Sequence, residues 1–550
     1  SNIQGLPTWY TIRVSKDGYL ARRDIHEIVV AMNPNTFTED QQKVAPGGVF
    51  IFGDHINQAV ARKDFFVYSI PARQLAKESN APANLRDYIA NMVYVGVLAQ
   101  LLGIQMDKIK LALNFHFKEK EGPVNLNFDV IKMASQWTEE NIEKVDPYFV
   151  EELDMTKDCI LTEGNTASAL GAIYGGVQFC SWYPITPATS LAEELTHYLP
   201  ILRDNPETKE KNYVVLQSED ELAAIGMAVG AGWAGLRSMT STSGPGISLM
   251  TEFVGLAYFA EVPVVIWDVT RVGPSTGLPT RTSQGDLTAV YYLGHGDTHH
   301  VVLIPSSAKE CFEFAWKSFD IAERLQTPVF ILSDLDLGMN QWMTEKFVYP
   351  DMDMDRGKVL WEEDLDKWKK EWGRYMDVDG DGIPYRTIPG NKNPKASYFA
   401  RGTGHDEFAA YSEDHENWEQ NIMRLEKKFE TAQQYVPKPI ITGDGEADIG
   451  IIAFGSTESA IIEAMDLLQK EDIQIDYLRV RALPLVDDIR EFIVSHRRVY
   501  VVELNQSGQL NQILNTEYGG VFDILESLTK HDGLPLTADW VFQMIKSKEK

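Results

Sequence analysis

The chain is poor in cysteine: Cys159, Cys180 and Cys311 are the only three in 550 residues. They lie far apart and form no C-x-x-C pair, which excludes a disulfide framework and disfavours a zinc site of that type. A cubane iron–sulfur cluster usually takes four thiolates, so this chain alone does not hold one in the conventional way. The scarcity of cysteine indicates a reducing compartment, and we expect the cytoplasm.

Positive charge is also scarce, because 51 Lys and Arg face 80 Asp and Glu and the formal net charge is −29. Nucleic-acid affinity comes mostly from Lys and Arg that displace counterions, so neither a nucleic acid nor an anionic membrane surface is an expected partner. No run of about 18 apolar residues is present, which argues against a membrane span. The opening residues, SNIQGLPTWYTIRV, lack the pattern of a signal peptide, and the missing initiator Met leaves open that the natural chain begins upstream.

A chain of this length is too long to fold around a single hydrophobic core. The pattern of apolar runs and helical stretches divides it into four segments. In residues 1–157, apolar runs at 26–34 and 47–55 and a helical stretch at 84–103 predict a small α/β domain. Its end, residues 137–158, is polar and acidic and is interpreted as a connecting segment.

The other three segments differ in rhythm. Residues 158–337 alternate apolar runs with helical patterns, which predicts a doubly wound, mostly parallel sheet with helices on both faces. Residues 338–436 break this alternation with many Trp, Asp and Lys, and we interpret them as a connector or lid with helices near 361–374 and 413–434. The alternation resumes in residues 437–550 and predicts a second compact α/β domain.

An acid-rich helix start is the first candidate for chemistry. Glu219, Asp220 and Glu221 open a helix that is otherwise built mainly from Ala and Gly, directly after a predicted strand. Favourable interaction with the helix dipole explains such acids without any function. Alternatively, a half-shielded carboxylate there holds a proton for a ligand nitrogen.

Two arginines on a Gly- and Pro-rich loop are the second candidate. Arg271 and Arg281 follow the strand VPVVIWDVT, and a guanidinium binds a carboxylate with two parallel hydrogen bonds. Surface salt bridges are the alternative interpretation.

The stretch DVDGDGIPYRTI imitates a calcium loop. Asp377, Asp379, Asp381 and Gly382 match its first half, but position twelve is Ile388 instead of the bidentate Glu. The pattern therefore favours a structural turn over a weak Mg²⁺ or Ca²⁺ site.

Several of these motifs together resemble a known family. Y-P-I-T-P at 183–187 is followed by the acid-led helix, by S-G-P-G at 243–246 and by the arginine loop. This order resembles the alpha subunits of 2-oxoacid:ferredoxin oxidoreductases. LTEGNTASALGAIYGGVQFCSWYPITPATSLAEEL resembles their thiamine pyrimidine-binding domain, and AFGSTESAIIEAMDLL with VVELNQSGQL resembles their transketolase-C-like domain.

The first 157 residues resemble the gamma domain of the fused gamma–alpha type, as in 2-oxoglutarate:ferredoxin oxidoreductases. That domain commonly opens with G-x-G-G-x-G, which is absent before Leu20, so a ligand role for it stays open.

The resemblance implies a site for thiamine diphosphate. It places Pro184 and Thr186 beside the thiamine ring and Ser243 among the residues that bind the cofactor. The glutamate that hydrogen-bonds the pyrimidine N1′ falls on Glu221, with Glu219 as a less favoured register. In that role the carboxylic acid favours the imino tautomer, which removes the proton from C2 of the thiazolium ring.

The resemblance also implies a substrate and its contacts. Arg271 matches the arginine that meets the 1-carboxylate of the 2-oxoacid, and Thr186 lies with it among the catalytic and substrate-binding residues. The fused layout favours 2-oxoglutarate, and Arg281 is our candidate for its 5-carboxylate. Pyruvate and branched-chain 2-oxoacids are the alternatives.

The expected reaction is oxidative decarboxylation of 2-oxoglutarate with coenzyme A to succinyl-CoA and CO₂, or its reverse. Neither GDG triplet, at 380–382 and 443–445, precedes the Asn of a diphosphate-binding motif. The resemblance implies that this motif, Mg²⁺ and a [4Fe–4S] cluster belong to a beta subunit, in an (alpha–beta)₂ assembly that reduces ferredoxin. A thiamine-dependent carboligase subunit and an electron-transfer flavoprotein subunit are the alternative classes.

Overall fold

The computed structural model describes residues 6–369, 371–521 and 523–549, apart from the side chain of Asp87. The chain forms two compact units, Ser1–Thr156 and Lys157–Lys550. None of the helices in these described ranges combines the length and the apolar character that crossing a membrane requires.

The first unit contains three parallel strands in the order β1-β2-β3, with helices packed beside them. Its elements are β1 (His26–Ala31), α1 (Phe37–Gln42), β2 (Val44–Gly53), β3 (Phe66–Ile70), α2 (Ala72–Glu78), α3 (Arg86–Leu102), α4 (Met106–His116) and α5 (Glu121–Asn141).

Two features of this unit differ from the sequence prediction. Strand β3 is short and follows the charged stretch ARKD, and the sequence pattern did not reveal it. Helix α5 extends into the predicted connecting segment, because Val130, Ile131 and Ala134 form a buried face that continues to Thr138. Helix α3 ends as predicted, with Gly103 in the left-handed conformation that glycine adopts without strain.

The second unit contains the remaining elements. They are β4 (Cys159–Glu163), α6 (Gly164–Tyr174), β5 (Phe179–Trp182), α7 (Thr189–Arg203), β6 (Val214–Gln217), α8 (Glu221–Trp233), β7 (Ser238–Thr242), α9 (Gly244–Phe259), β8 (Val264–Thr270), α10 (Leu287–Tyr291), β9 (Val301–Leu303), α11 (Ala308–Leu325), β10 (Pro328–Asp334), α12 (Leu335–Met339), β11 (Gln341–Glu345), α13 (Glu362–Lys367), α14 (His415–Ala432), β12 (Ile440–Thr442), β13 (Ile449–Phe454), α15 (Glu458–Gln469), β14 (Asp476–Val480), β15 (Ala482–Leu483), α16 (Asp487–Ser495), β16 (Arg498–Glu503), α17 (Gln509–Tyr518), β17 (Leu525–Thr529) and α18 (Ala538–Glu549).

A seven-stranded sheet with the order β15-β9-β10-β8-β7-β5-β6 forms the centre of this unit. Every pair is parallel except β15 with β9. The central strands β7, β8 and β10 are buried along their whole length, as continuous apolar runs between two helix layers should be. Burial of one large apolar side chain such as Phe330 stabilises the sheet by about 1.5–3 kcal/mol. The predicted mostly parallel α/β fold is confirmed.

A second sheet has the order β12-β14-β13-β16-β17 and is parallel except for β12. It belongs to the predicted C-terminal α/β domain, yet one hydrophobic core continues from this sheet into the seven-stranded one. In addition, β15 leaves the C-terminal segment to pair with β9 of the other sheet. The boundary at residue 437 stays a prediction.

The segment 338–436 is held against the central sheet and its helices. Helix α13 ends at Lys367, earlier than predicted, where Trp368 and Trp372 turn to pack on a small core around Leu365. Helix α14 carries Arg424 and Lys428 to the buried Glu261, which follows helix α9.

Candidate active site

Four neighbouring parallel strands, β6, β5, β7 and β8, end at the same edge of the seven-stranded sheet. The loops that follow them carry Glu221, Thr186, Ser243 and Arg271 in that order. Ligands of open α/β sheets bind outside the carboxyl ends of the strands. Sheet topology therefore brings these four sequence-predicted residues to one edge.

Glu221 is the first residue of helix α8 and is only 7% exposed. The preceding Asp220 caps the helix, since its Oδ1 accepts a hydrogen bond of 2.7 Å from the backbone N–H of Ala223. Within the described ranges, no hydrogen bond or ion pair is found for the Glu221 carboxylate. Glu219, in contrast, is exposed. The helix thus presents one shielded carboxylate that is available to a ligand.

The S-G-P-G turn lies against this carboxylate. A Cβ atom at Gly246 would lie 2.9 Å from Cγ of Glu221 and 1.9 Å from Oγ1 of Thr242. Only glycine leaves enough space for those two side chains. Ser243 precedes α9 and is fully buried, and its Oγ finds no hydrogen-bond partner in the described part of the chain.

Arg271 is 7% exposed and connects the loop after β8 to the Y-P-I-T-P stretch. Its Nη1 donates a hydrogen bond of 2.7 Å to the backbone carbonyl of Thr186, while its buried Nε finds no acceptor among the described residues. Thr186 is half-buried and Pro184 is exposed. The guanidinium is therefore oriented by one bond and keeps capacity for an anion.

Two aspartates beside Arg271 were not among the sequence-predicted residues. Asp268 lies fully buried in β8, and Asp286 precedes α10. Burial, and then the charge of Asp286, raise the pKa of Asp268 well above its ordinary value. Burial raises the pKa of Asp286 to about 6, although Arg271 opposes the shift. The sequence signal that could have identified Asp268 is its place as an acid inside the apolar run VPVVIWDVT.

Arg281 does not join this group of side chains. It is exposed, and its Nη1 donates to the adjacent carbonyl of Thr280 at 3.1 Å. Its backbone carbonyl accepts a 3.0 Å hydrogen bond from Val272, which closes the arginine loop on itself. The structure therefore separates the buried Arg271 from the solvent-facing Arg281.

Two aspartates of the calcium-like stretch, residues 377–388, form ion pairs with a lysine. Nζ of Lys358 lies 2.7 Å from Oδ2 of Asp379 and 2.8 Å from Oδ1 of Asp381. Asp377 accepts hydrogen bonds from the backbone N–H groups of Gly380 and Gly382. These contacts describe a structural turn. In the described ranges, no three His, Cys, Asp or Glu side chains cluster in a way that would hold a metal ion.

Two family models match the chain. The one described as "Pyruvate flavodoxin/ferredoxin oxidoreductase, thiamine diP-bdg" covers residues 170–416. The one described as "Pyruvate ferredoxin/flavodoxin oxidoreductase" covers residues 1–137. The first match includes all four strand-end loops of the site.

Curated relatives resemble the chain over most of their length. The alpha subunit of 2-oxoacid:ferredoxin oxidoreductase 2 from Aeropyrum pernix is 33% identical over 479 residues, which cover 84% of this chain and 72% of that protein. The 2-oxoglutarate synthase subunit KorA from Methanothermobacter marburgensis is 35% identical over 363 residues, 64% of this chain and 89% of that protein.

A solved structure has the same fold. It is a 2-oxoglutarate:ferredoxin oxidoreductase from Magnetococcus marinus with 2-oxoglutarate, coenzyme A and succinyl-CoA bound. The TM-score is 0.86 at 31% identity, over 96% of this chain and 89% of that one. The resemblance seen in the sequence motifs is confirmed, as is the prediction that the chain is part of an enzyme. The chain belongs to the alpha subunits of the 2-oxoacid:ferredoxin oxidoreductase family.

Proposed function

We propose that this chain, together with a beta subunit, catalyses the oxidative decarboxylation of 2-oxoglutarate with coenzyme A to succinyl-CoA and CO₂, or the reverse reaction, with electrons passed to ferredoxin. The choice of 2-oxoglutarate is supported by two similar proteins, the 2-oxoglutarate synthase subunit KorA and the 2-oxoglutarate:ferredoxin oxidoreductase from Magnetococcus marinus. The observation that carries the proposal is a buried, oriented Arg271 at the strand edge where Glu221 is shielded.

The residues at this edge fit the pyrimidine side of thiamine diphosphate. The Glu221 carboxylate is shielded and has no partner among the described residues, which suits a ring nitrogen. The Oγ of Ser243, which likewise finds no partner in the described ranges, lies at the neighbouring turn. Thr186 and Pro184 line the adjacent loop and are our candidates for contacts with the ring. When bound, the cofactor supplies an electron sink for cleavage next to a 2-keto group.

Glu221 is proposed to hold a proton at the pyrimidine N1′. Its position at the first turn of α8, behind the cap formed by Asp220, fixes the direction of the side chain. The glycine at 246 lets the S-G-P-G turn close over it, which limits access of water. A positioned acid of this kind typically contributes a factor of about 10²–10⁴ to the rate.

Arg271 is proposed to bind the 1-carboxylate of the substrate. Its bond to the Thr186 carbonyl uses one N–H, and its other donors remain to form charge-assisted hydrogen bonds with an anion. A buried cation is needed here, because an unpaired carboxylate is costly to remove from water. Thr186 is thereby placed between cofactor and substrate in the proposal.

The remaining parts of the enzyme are assigned to the beta subunit. The names of the relatives as alpha subunits support a partner chain. Three cysteines and two GDG triplets without the following Asn leave the iron–sulfur cluster, the diphosphate-binding motif and Mg²⁺ to that partner. We propose an (alpha–beta)₂ assembly.

The test is to reconstitute the chain with its beta subunit and to compare 2-oxoglutarate, pyruvate and a branched-chain 2-oxoacid by kcat/KM, with coenzyme A and ferredoxin present. The proposal expects ferredoxin reduction and a preference for 2-oxoglutarate. Preference for pyruvate would reject the substrate assignment, whereas product formation without ferredoxin reduction would indicate a carboligase. The chain alone should be colourless and bind thiamine diphosphate weakly, and a brown colour would contradict the division of cofactors.

A further inference from the structure

The side chain of Gln284 ties the arginine loop, which runs from β8 to α10, to the C-terminal sheet. Gln284 is only 3% exposed. Its Nε2 donates a hydrogen bond of 2.7 Å to the backbone carbonyl of Phe454, and its Oε1 accepts one of 3.0 Å from the backbone N–H of Leu504. Its own backbone N–H donates to the Leu504 carbonyl at 2.8 Å. Both ends of the Gln284 amide are therefore bonded to backbone groups of the C-terminal segment.

These contacts lie at the carboxyl ends of two neighbouring parallel strands. Phe454 is the last residue of β13, and Leu504 directly follows β16. In open α/β sheets this edge is where ligands usually bind, but here the Gln284 amide bridges the two strand ends. Gly455 leaves room for it, because a Cβ at that position would lie 2.9 Å from Nε2 of Gln284. The edge of the C-terminal sheet is thus shaped to accept this side chain.

Two side chains of the C-terminal segment reach back to the loop. Nδ2 of Asn505 donates a hydrogen bond of 3.1 Å to the backbone carbonyl of Gln284. Nε2 of Gln509 donates to the Gly285 carbonyl at 2.6 Å, and its Oε1 accepts a hydrogen bond of 2.9 Å from the N–H of Thr288. We call these contacts, together with those of the Gln284 amide, the amide clamp.

The clamped end of the loop is hydrogen-bonded to the backbone around Arg271. Oγ1 of Thr270, the residue before Arg271, donates a hydrogen bond to the backbone carbonyl of Ser283. The N–H of Val272, the residue after Arg271, donates to the Arg281 carbonyl at 3.0 Å. The backbone on both sides of Arg271 is therefore bonded to the few residues that directly precede the amide clamp.

We propose that Gln284 is a positioning residue of the active site, whose amide fixes the arginine loop on the C-terminal sheet and thereby holds the backbone that presents Arg271 to the substrate carboxylate. This inference rests on the proposed function of Arg271 as the anchor of that carboxylate. Gln284 acts through the loop and does not touch the substrate, since its amide is bonded to the two strand ends.

The amide clamp complements the contact between Arg271 and Thr186. The hydrogen bond to the Thr186 carbonyl holds the guanidinium end of the side chain, and the amide clamp holds the backbone from which the side chain starts. An arginine fixed at both ends loses little conformational entropy when it binds an anion. Release of the backbone end should therefore weaken binding of the 2-oxoacid.

The kinetic test uses Gln284→Met in the reconstituted complex. Methionine keeps an unbranched side chain but offers neither the donor for Phe454 nor the acceptor for Leu504. KM for the 2-oxoacid should rise by about tenfold, the scale of one or two lost hydrogen bonds. The affinity for thiamine diphosphate, whose proposed contact is Glu221, should stay nearly unchanged.

Gln512→Met is the matched control. Gln512 is exposed, and its Nε2 donates to the Ser507 carbonyl within the C-terminal segment, without contact to the arginine loop. Its kinetics should equal those of the unmodified complex. An unchanged KM in Gln284→Met, or equal losses in both variants, would overturn the assignment. An equal loss of cofactor affinity in Gln284→Met would also overturn it, because it would indicate a general disturbance of the site.

Gln284→Glu adds a readout that a merely structural role would not change. When protonated, the new carboxyl group keeps one donor for Phe454 and one acceptor for Leu504, whereas the ionised form has no donor. Burial raises the pKa of a carboxyl group, so the variant should have nearly the unmodified KM at low pH. As the pH rises through that pKa, its KM should approach that of Gln284→Met. If the two variants have the same KM at every pH, the hydrogen bonds of the amide do not position the loop and the proposal fails.

Hydrogen exchange of the full chain, followed by mass spectrometry, tests the amide clamp without catalysis. Residues 270–286 and 500–506 should exchange faster in Gln284→Met than in the unmodified chain, while strand β10 should not change. Equal exchange in the two proteins would reject the amide clamp even if the complex turns over 2-oxoacids. Faster exchange in the variant, together with a complex that consumes no 2-oxoacid, would reject the proposed function and leave the amide clamp standing.

Discussion

Nη1 of Arg271 donates a 2.7 Å hydrogen bond to the backbone carbonyl of Thr186. The two residues follow β8 and β5, strands that are separated by β7 in the sheet. This bond ties the guanidinium to the Y-P-I-T-P stretch, 183–187, at the edge of the sheet where β8 and β5 end. A side chain held in this way is pre-organised for an anion, so its binding costs less conformational entropy than that of a mobile surface arginine.

Glu221→Gln should slow turnover of the reconstituted complex by about two to four orders of magnitude, since the amide keeps the shape and loses the acid. The exposed Glu219 is the matched control, and Glu219→Gln should have little effect. Steady-state kinetics at saturating thiamine diphosphate measure both. Comparable damage from the two variants would show that the acid was assigned to the wrong residue.

Gly246→Ala should impair activity although it adds a single methyl group. The new Cβ would lie 1.9 Å from Oγ1 of Thr242 and 2.9 Å from Cγ of Glu221, so both side chains would have to move. Because Glu221 is proposed to meet a ring nitrogen of the cofactor, we expect weaker cofactor binding and lower kcat together. Titration of thiamine diphosphate into the complex and the kinetics of the variant provide the measurement.

Gly230→Ala in helix α8 is the control for this change. Nothing lies within 4 Å of a Cβ at that position, and the residue is exposed. Replacement of a helical glycine by alanine there should stabilise the protein by about 0.5–1 kcal/mol and leave kinetics unchanged. If both alanine variants lose activity equally, crowding at Glu221 is not the cause.

The site edge could be predicted from the sequence because its signals are local. Each of three strand-to-helix junctions has a recognisable sequence motif: prolines at 184 and 187, an acid at 221 and the glycines of S-G-P-G. Parallel strands then bring these junctions together without further information. Strand β15 has no such sequence motif. Its two residues form a strand only because they pair with β9, and this contact depends on the tertiary structure.

Asp268 and Asp286 show the same limit of sequence prediction at the level of side chains. Asp268 was visible as an acid in an apolar run, which signals a buried charge in need of a partner. Asp286 lies in a polar loop where an acid is unremarkable, and no spacing rule relates the two. Their proximity depends on how the arginine loop folds back, which only the tertiary structure determines.

The segment 338–436 should depend strongly on one buried acid for its stability. Both carboxyl oxygens of Glu261 are paired, Oε1 with Arg424 at 2.6 Å and Oε2 with Lys428 at 2.8 Å. Glu261→Gln leaves two buried cations without their anion and should lower the free energy of unfolding by about 3–5 kcal/mol. Urea unfolding followed by tryptophan fluorescence measures the change.

Glu345→Gln is the control, because Glu345 pairs with Lys309 at the surface and is 75% exposed. Its effect should stay below about 1 kcal/mol. Burial alone would raise the pKa of Glu261, but Arg424 and Lys428 lower it to about 2. The stabilisation by Glu261 is therefore complete above its ordinary pKa of 4.5 and is lost as the pH falls towards 2. A difference between Glu261→Gln and the unmodified chain that does not shrink in this range would contradict the ion cluster.

Substrate choice is the sharpest test of the arginine loop. 2-Oxoglutarate has a second carboxylate, and burying it without a cation would be costly. Arg271 is buried and held by Thr186, whereas Arg281 is exposed on the same loop and free to turn towards a ligand or towards the partner subunit. Arg271→Met should therefore harm turnover of 2-oxoglutarate and of pyruvate alike, since both substrates have the 1-carboxylate.

Arg281→Met should raise KM for 2-oxoglutarate and leave any pyruvate activity nearly unchanged. One lost charge-assisted hydrogen bond corresponds to an increase of about tenfold. Kinetics of the reconstituted complex with both acids, coenzyme A and ferredoxin decide the matter. Equal losses on both acids would mean that the Arg281 side chain supports the fold of the loop and does not bind the 5-carboxylate. The hydrogen bond from the Val272 N–H to the Arg281 carbonyl does not involve this side chain and is kept in the variant. No change on either acid would assign the 5-carboxylate to a cation outside this loop, and the beta subunit would then be the place to search.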